Sequence, residues 1–198
     1  TIEGGMVCTN NKEIHEYAKL FRSHGMTRET SSNLQEYYKV RYPELNPLFT
    51  FAVPGYNMRN QEFNAVLGLE QLKRLDYNIQ KRQENFRVWI SCLDPLKYQT
   101  DFQEKGSSNF SLPLIIQDSN KELFDDVCSV LDEEAVEYRI GTAGGGNQAR
   151  QPYLEKYEYR THDLTNVNYI HDFGLYIGNH PELDTEEIIK LSDRLNLL

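Results

Sequence analysis

Apolar residues recur along this chain either at the 3.6-residue period of a helix or in short runs of strand length, and the two patterns alternate. Gly5-Met6-Val7-Cys8-Thr9, bounded by Gly4-Gly5 and Asn10-Asn11, predicts a strand leaving a tight turn. Asn10 or Asn11 then caps a predicted helix in which Ile14, Tyr17, Ala18 and Phe21 share one face. From residue 23 to residue 54 the periodicity lapses. Tyr37, Tyr38, Tyr42, Phe49 and Phe51 stand among Pro43, Pro47 and Pro54, which predicts a long loop that meets a partner subunit. After Gly55-Tyr56-Asn57 a long helix is predicted over about 60–93, on a stripe of Val66, Leu69, Leu72, Leu75, Ile79, Phe86 and Trp89. It should bend or break near residues 76–78 and join two domains.

Asp94-Pro95 ends that helix, and the rest predicts strands over 110–116, 136–140 and 174–177, with helices over 121–131 and 185–195. A Gly-rich loop, Gly144-Gly145-Gly146, and short helical pieces lie between. The fold class is α/β: residues 1–76 belong to one domain and residues 77–198 form a small α/β domain. The chain has no initiator Met and opens in mid-motif at Thr1-Ile2-Glu3-Gly4-Gly5, so it reads as a piece of a longer protein.

A formal net charge of −9 argues against a nucleic-acid partner, because a polyanion surface needs clustered Lys and Arg to displace counterions. One phosphate in a locally positive pocket remains compatible with it. Cys8, Cys92 and Cys128 are odd in number and widely spaced, which suits buried, reduced thiols in a cytoplasmic protein and no metal or iron–sulfur site. No apolar run approaches the length of a membrane span, and no membrane partner is expected.

Three stretches in series carry a resemblance. They are Thr1-Ile2-Glu3-Gly4-Gly5-Met6-Val7, Phe21-Arg22-Ser23-His24-Gly25-Met26, and Gly55-Tyr56-Asn57-Met58-Arg59 followed by Ala65-Val66-Leu67-Gly68-Leu69-Glu70-Gln71-Leu72. Together they resemble the sugar aminotransferase family of fold-type-I pyridoxal-phosphate enzymes (DegT/DnrJ/EryC1/StrS), which act on nucleotide-linked 4-keto sugars. The likeness covers essentially the whole chain. It implies the end of a large cofactor-binding domain, a linking helix and a small C-terminal domain. It also implies a pyridoxal or pyridoxamine 5′-phosphate cofactor, a nucleotide-sugar substrate, glutamate as amino donor, and a homodimer with shared active sites. Cell-surface polysaccharide synthesis, such as lipopolysaccharide O-antigen, is the implied setting.

In that family the residue that decides the chemistry lies a few positions before the Glu-Gly-Gly turn, upstream of Thr1 here, so this chain is expected to lack turnover alone. A Lys there forms a Schiff base in the aminotransferases, and a His serves as base in a dehydratase branch. The segment from Glu137 to Tyr153 and the run Tyr176-Ile177-Gly178-Asn179-His180-Pro181 resemble the dehydratase branch, whose nearest members remove the 3-hydroxyl of a GDP-4-keto-6-deoxyhexose. A 4-amino sugar aminotransferase is the alternative, and a non-catalytic dimerising relative is a third.

The resemblance also assigns roles. Asn57 matches the Asn that reaches across the dimer to the cofactor phosphate, the alternative being an Asn tolerated in a turn. His24 and Arg28 match active-site residues donated by the second subunit, the alternative being solvent-exposed loop residues. Glu137 matches a Glu that touches the sugar, although it and Arg139 share one face of a predicted strand and pairing with each other is the competing role. Arg150, beside the Gly-rich loop, is a candidate for the substrate's diphosphate. His15, His162, His171 and His180 lack metal-ligand spacing and take ordinary roles.

Overall fold

The computed structural model describes residues 3–141 and 146–198. Thr1, Ile2 and the first part of the Gly-rich loop, including Gly144 and Gly145, therefore lie outside the described residues. The chain divides into two compact units, one ending at Lys73 and one beginning at Arg74.

The first unit opens with residues 3–11 in no regular structure. The strand expected over 5–9 does not form, because a strand needs a hydrogen-bonded neighbour and none pairs with it among the described residues. Met6 and Val7 are exposed, as is Cys8, so that thiol is not buried as expected; Cys92 and Cys128 are half-buried, and all three are free. Helix α1 (Lys12–Arg22) begins where Asn11 caps it, its side-chain oxygen accepting from the Glu13 and Ile14 amides at 2.9 and 3.3 Å.

The stretch expected to be a long loop contains a helix of its own, α2 (Ser32–Arg41), flanked by 3-10 turns at Thr27–Glu29 and Pro47–Phe49. No Gly or Pro interrupts α2, and the Glu16 carboxylate accepts from the Ser31 amide at its start, satisfying a donor that helix formation leaves free. Its weak apolar periodicity concealed it, and none of its residues is buried. Helix α3 (Glu62–Leu72) also buries no residue: Phe63, Val66, Leu69 and Leu72 remain exposed. Among the described residues only Leu20 and Met26 are buried hydrophobics of this unit.

Helix α4 (Leu75–Cys92) opens the second unit. The expected single long helix is thus two, broken at Lys73-Arg74 and not at residues 76–78. Asp76 lies in the first turn of α4, where a carboxylate favours the positive end of the helix, so the residue read as a breaker is a starter.

Three strands, β1 (Ser111–Ile115), β2 (Tyr138–Ile140) and β3 (Gly174–Gly178), form an antiparallel sheet in the order β1-β3-β2. The register sets Leu112 opposite Ile177 and Leu114 opposite Leu175, so one face collects all four. They form one core with Phe86 and Trp89 of α4, with Phe124, Val127 and Leu131 of α5 (Lys121–Glu133), and with Ile188 and Leu195 of α7 (Thr185–Asn196). Pro113 is tolerated because β1 is an edge strand, and its carbonyl accepts the Trp89 indole N–H at 2.8 Å. Between β2 and β3 lie 3-10 turns at Gln148–Arg150 and Pro152–Lys156 and helix α6 (Thr165–Phe173).

The C-terminal end of α7 is tied down by the segment after α4. Tyr98 donates to the Leu195 carbonyl at 2.7 Å, and Lys97 to the Asn196 carbonyl at 2.6 Å, pairing acceptors that a helix end leaves open. Burial, with the nearby Asp94 charge, pushes the Tyr98 hydroxyl pKa far up and keeps it a neutral donor.

Two substitutions test these features. Trp89→Ala removes a fully buried ring and orphans the Pro113 carbonyl, and should lower unfolding free energy by about 3–5 kcal/mol in urea denaturation; a loss below about 1 kcal/mol would contradict its place in the core. Gly25 has φ +81°, and a methyl group there would strike the Val53 carbonyl oxygen. Gly25→Ala should therefore cost at least the ~1–2 kcal/mol of a left-handed backbone and speed exchange of the Ala52 amide, which donates to the Gly25 carbonyl; unchanged exchange would contradict the close approach.

Candidate active site

Residues 21–27 and 50–58 of the first unit run antiparallel and in close contact. The Thr27 amide donates to the Thr50 carbonyl at 3.0 Å, Ala52 to Gly25 at 2.8 Å, His24 to Tyr56 at 2.7 Å, and Met58 to Arg22 at 2.9 Å. Ser23 and Asn57 form an antiparallel bridge. The approach depends on two glycines, since a Cβ on Gly55 would collide with the Gly25 amide nitrogen just as one on Gly25 would meet Val53. His24 itself sits in the left-handed region at φ 59°.

Two of the predicted site residues are thereby brought together. His24 and Asn57 lie on adjacent segments with their backbones pinned, and both are exposed. Neither side chain makes a hydrogen bond or ion pair among the described residues. Arg28 is on the following 3-10 turn, exposed, with its guanidinium 5.6 Å from the centre of the Phe49 ring. Gln35 of α2 donates to the Arg28 carbonyl at 3.2 Å, so the helix missing from the sequence reading helps hold this turn.

The sequence reading also missed the group that ties these segments together. The Glu29 carboxylate accepts the Ser23 hydroxyl at 2.7 Å and pairs with Arg22 at 2.8 Å and Arg59 at 2.6 Å. Arg59 also donates from Nε to the Ser23 oxygen at 2.8 Å. The Ser23 hydrogen bond, with help from the Arg22 bond and the Arg59 charge, holds the Glu29 carboxyl below its ordinary pKa against the opposing effect of partial burial. Ser23 and Arg59 both lie in motif stretches, but no spacing rule connects them to Glu29.

The other predicted residues belong to the second unit. Glu137 precedes β2 and lies 3.8 Å from Arg139, both strongly exposed, so the pairing that competes with a sugar contact is present, though at a distance and exposure that make it weak. Arg150 ends a 3-10 turn and pairs with Asp172 of α6 at 2.8 Å. The described end of the Gly-rich loop, Gly146, packs against the His171 ring, whose Nδ1 accepts from the Asn147 amide at 3.0 Å.

Two prominent clefts lie away from His24, Arg28 and Asn57. A cleft of about 800 Å³ lies between α1 and α2, lined by Leu20, Leu34, Tyr37 and Tyr38 among others, and includes none of His24, Arg28 and Asn57. A second, about 730 Å³, lies against α7 and has Glu137 at its rim. The paired segments are the candidate site nonetheless, because the motif residues His24 and Asn57 lie on them with their side chains exposed. Among the described residues no cluster of three or more His, Cys, Asp or Glu could hold a metal, and no helix is long and apolar enough to cross a membrane.

The sequence profile of the DegT/DnrJ/EryC1/StrS aminotransferase family matches residues 1–196. GDP-4-keto-6-deoxy-D-mannose 3-dehydratase of Yersinia pseudotuberculosis is 31% identical over 196 residues, covering 96% of this chain and 48% of that protein. UDP-4-amino-4,6-dideoxy-N-acetyl-beta-L-altrosamine transaminase of Helicobacter pylori is 38% identical over 119 residues, 59% of this chain and 28% of that one. The structure of Escherichia coli GDP-4-keto-6-deoxy-D-mannose-3-dehydratase with bound hydrated PLP superposes with a TM-score of 0.74 at 27% identity, over 94% of this chain and 48% of that one. The chain thus spans about half the length of the dehydratases it matches. Its helices and sheet follow the fold of these enzymes over that half, and the chain belongs to the DegT/DnrJ/EryC1/StrS aminotransferase family.

Proposed function

We propose that this chain presents Asn57, His24 and Arg28 to a pyridoxal-phosphate cofactor and a nucleotide sugar, in an enzyme that removes the 3-hydroxyl of a GDP-4-keto-6-deoxyhexose with glutamate as amino donor. The observation that carries the reading is the contrast at residues 24 and 57: two paired backbone segments are fixed by hydrogen bonds, while the exposed His24 and Asn57 side chains on them stay uncommitted. The similarity to a 3-dehydratase over nearly the whole chain supports this choice of reaction.

The residues present suit the cofactor. A neutral amide such as Asn57 donates to phosphate without a charge of its own to desolvate. In the ion-pair cluster on the flanking residues, Arg22 and Arg59 outnumber the single Glu29 carboxylate, which leaves that cluster positive in a chain of net charge −9. In its pyridoxamine form, regenerated by glutamate, the bound cofactor would supply an amine for the C4 ketone and an electron sink that lets the C3 hydroxyl leave. His24 is placed to hold or relay a proton beside the sugar, and Arg28 to pair with a diphosphate or a sugar oxygen. Glu137 and Arg150 are assigned to the sugar and its diphosphate; each must give up an exposed ion-pair partner to serve.

The same reading makes the active unit a homodimer with Asn57 and His24 reaching into the partner's cofactor pocket. The exposed apolar side chains of α3, with Tyr56 and Met58 beside Asn57, are surface of the kind that an obligate interface covers. Amination at C4 is the second reading, favoured by the similarity to the Helicobacter pylori transaminase.

Isotope fate separates the two. With the native protein, its cofactor, ¹⁵N-glutamate and GDP-4-keto-6-deoxymannose, the label should leave as ammonia alongside a 3-deoxy ketone. Label retained in the sugar would establish amination instead. Asn57→Ala should weaken pyridoxal phosphate binding roughly tenfold or more, the value of a hydrogen bond to a charged group, in an absorbance titration; unchanged affinity would remove Asn57 from the cofactor site.

A further inference from the structure

We propose that Glu29 is a positioning residue, a carboxylate clamp that fixes how the His24 and Asn57 side chains are presented. It rests on the reading of these two as site residues, yet the clamp itself is open to a test that needs no cofactor.

Glu29 touches neither residue. It holds their neighbours: Arg22 and Ser23 immediately before His24, and Arg59 two positions after Asn57. Both carboxylate oxygens are engaged, Oε2 by Arg22 and Oε1 by Ser23 and Arg59 together. Ser23 is fully buried, and its hydroxyl both donates to Glu29 and accepts from Arg59. A carboxylate on the 3-10 turn Thr27–Glu29 thus links Arg22 and Ser23 of segment 21–27 to Arg59, the residue that follows segment 50–58, at the point where backbone bonds run out beyond the Met58 amide. These bonds are charge-assisted, the stronger class, and they restrain one side of a junction whose other side is the glycine contact.

Without the carboxylate, Arg22 and Arg59 would lose the one counter-charge they share, and the buried Ser23 hydroxyl would lose its acceptor, so the charged link between the segments would be gone. Arg22 and Arg59 are also the charged groups that Glu29 faces, one from the end of α1 and one from just past the second segment. Because its folded pKa is depressed, the stabilisation is fully present above the ordinary carboxylate range and is lost as pH falls through the lowered value.

The test compares Glu29→Gln, Glu29→Asp, Asn57→Ala and the Glu29→Gln/Asn57→Ala double variant of the native protein. Two quantities are read: amide exchange without cofactor, and pyridoxal phosphate affinity by absorbance titration. Glu29→Gln, which keeps the shape and removes the charge, should speed exchange of the His24 and Met58 amides about tenfold while Leu114 and Leu175 stay protected. It should also weaken cofactor binding about tenfold, with no further loss when added to Asn57→Ala, because the two act through one contact. Glu29→Asp, one methylene shorter but charged, should recover part of both and also covers the case in which the Gln variant fails to fold.

Wild-type exchange at His24 and Met58 in Glu29→Gln would overturn the clamp. Cofactor losses that add in the double variant would overturn its action through Asn57. Faster exchange in Glu29→Gln together with unaltered cofactor affinity in Asn57→Ala would uphold the clamp and sink the reading of Asn57.

Discussion

The candidate site depends on one close approach of two backbones. Gly25 and Gly55 have no Cβ to keep residues 21–27 and 50–58 apart, and the antiparallel bonds from Thr27–Thr50 to Met58–Arg22 follow from that contact. The consequence is a rigid junction in a unit that otherwise has very little core. Among the described residues the first unit buries only the hydrophobic side chains of Leu20 and Met26, whereas the second gathers Trp89, Leu112, Leu114, Leu131 and Leu195 into a continuous interior. Order at the site is therefore local and polar in origin. It comes from backbone hydrogen bonds, two glycines and the Glu29 ion pairs, and not from the packing that holds the small domain together.

That division explains which parts of the sequence were readable. In the second unit, burial and periodicity agree. The apolar positions of α5 and α7 and the alternation of β1 mark elements that the structure contains, because each buries the face its pattern advertises. In the first unit the link between apolar pattern and burial is broken. Met6, Val7 and the stripe of α3 are apolar and exposed, so the run at 5–9 suggested a strand that has no partner among the described residues, and α2, with no buried face, left little periodic trace. The break at Lys73-Arg74 carries neither Gly nor Pro and was displaced onto Asp76 for that reason.

The candidate site was legible only in part. His24 and Asn57 emerged from motif stretches, and the structure puts them on two paired backbone segments. Glu29 did not emerge, since its partners Arg22, Ser23 and Arg59 lie seven, six and thirty residues away and only the fold closes those distances. Glu137 and Arg150 carry ion pairs with Arg139 and Asp172 that no sequence pattern weighs against a substrate contact. A residue's availability is a property of its neighbours in space.

The central claim is that this junction delivers Asn57 to the phosphate of a pyridoxal cofactor held by the other subunit. A crystal structure of the native protein loaded with pyridoxal phosphate tests it most directly. The account predicts a symmetric dimer with the Asn57 amide of each protomer donating to a phosphate oxygen in its partner's pocket. A bound cofactor whose phosphate is satisfied entirely within one subunit, with Asn57 facing solvent, would contradict it.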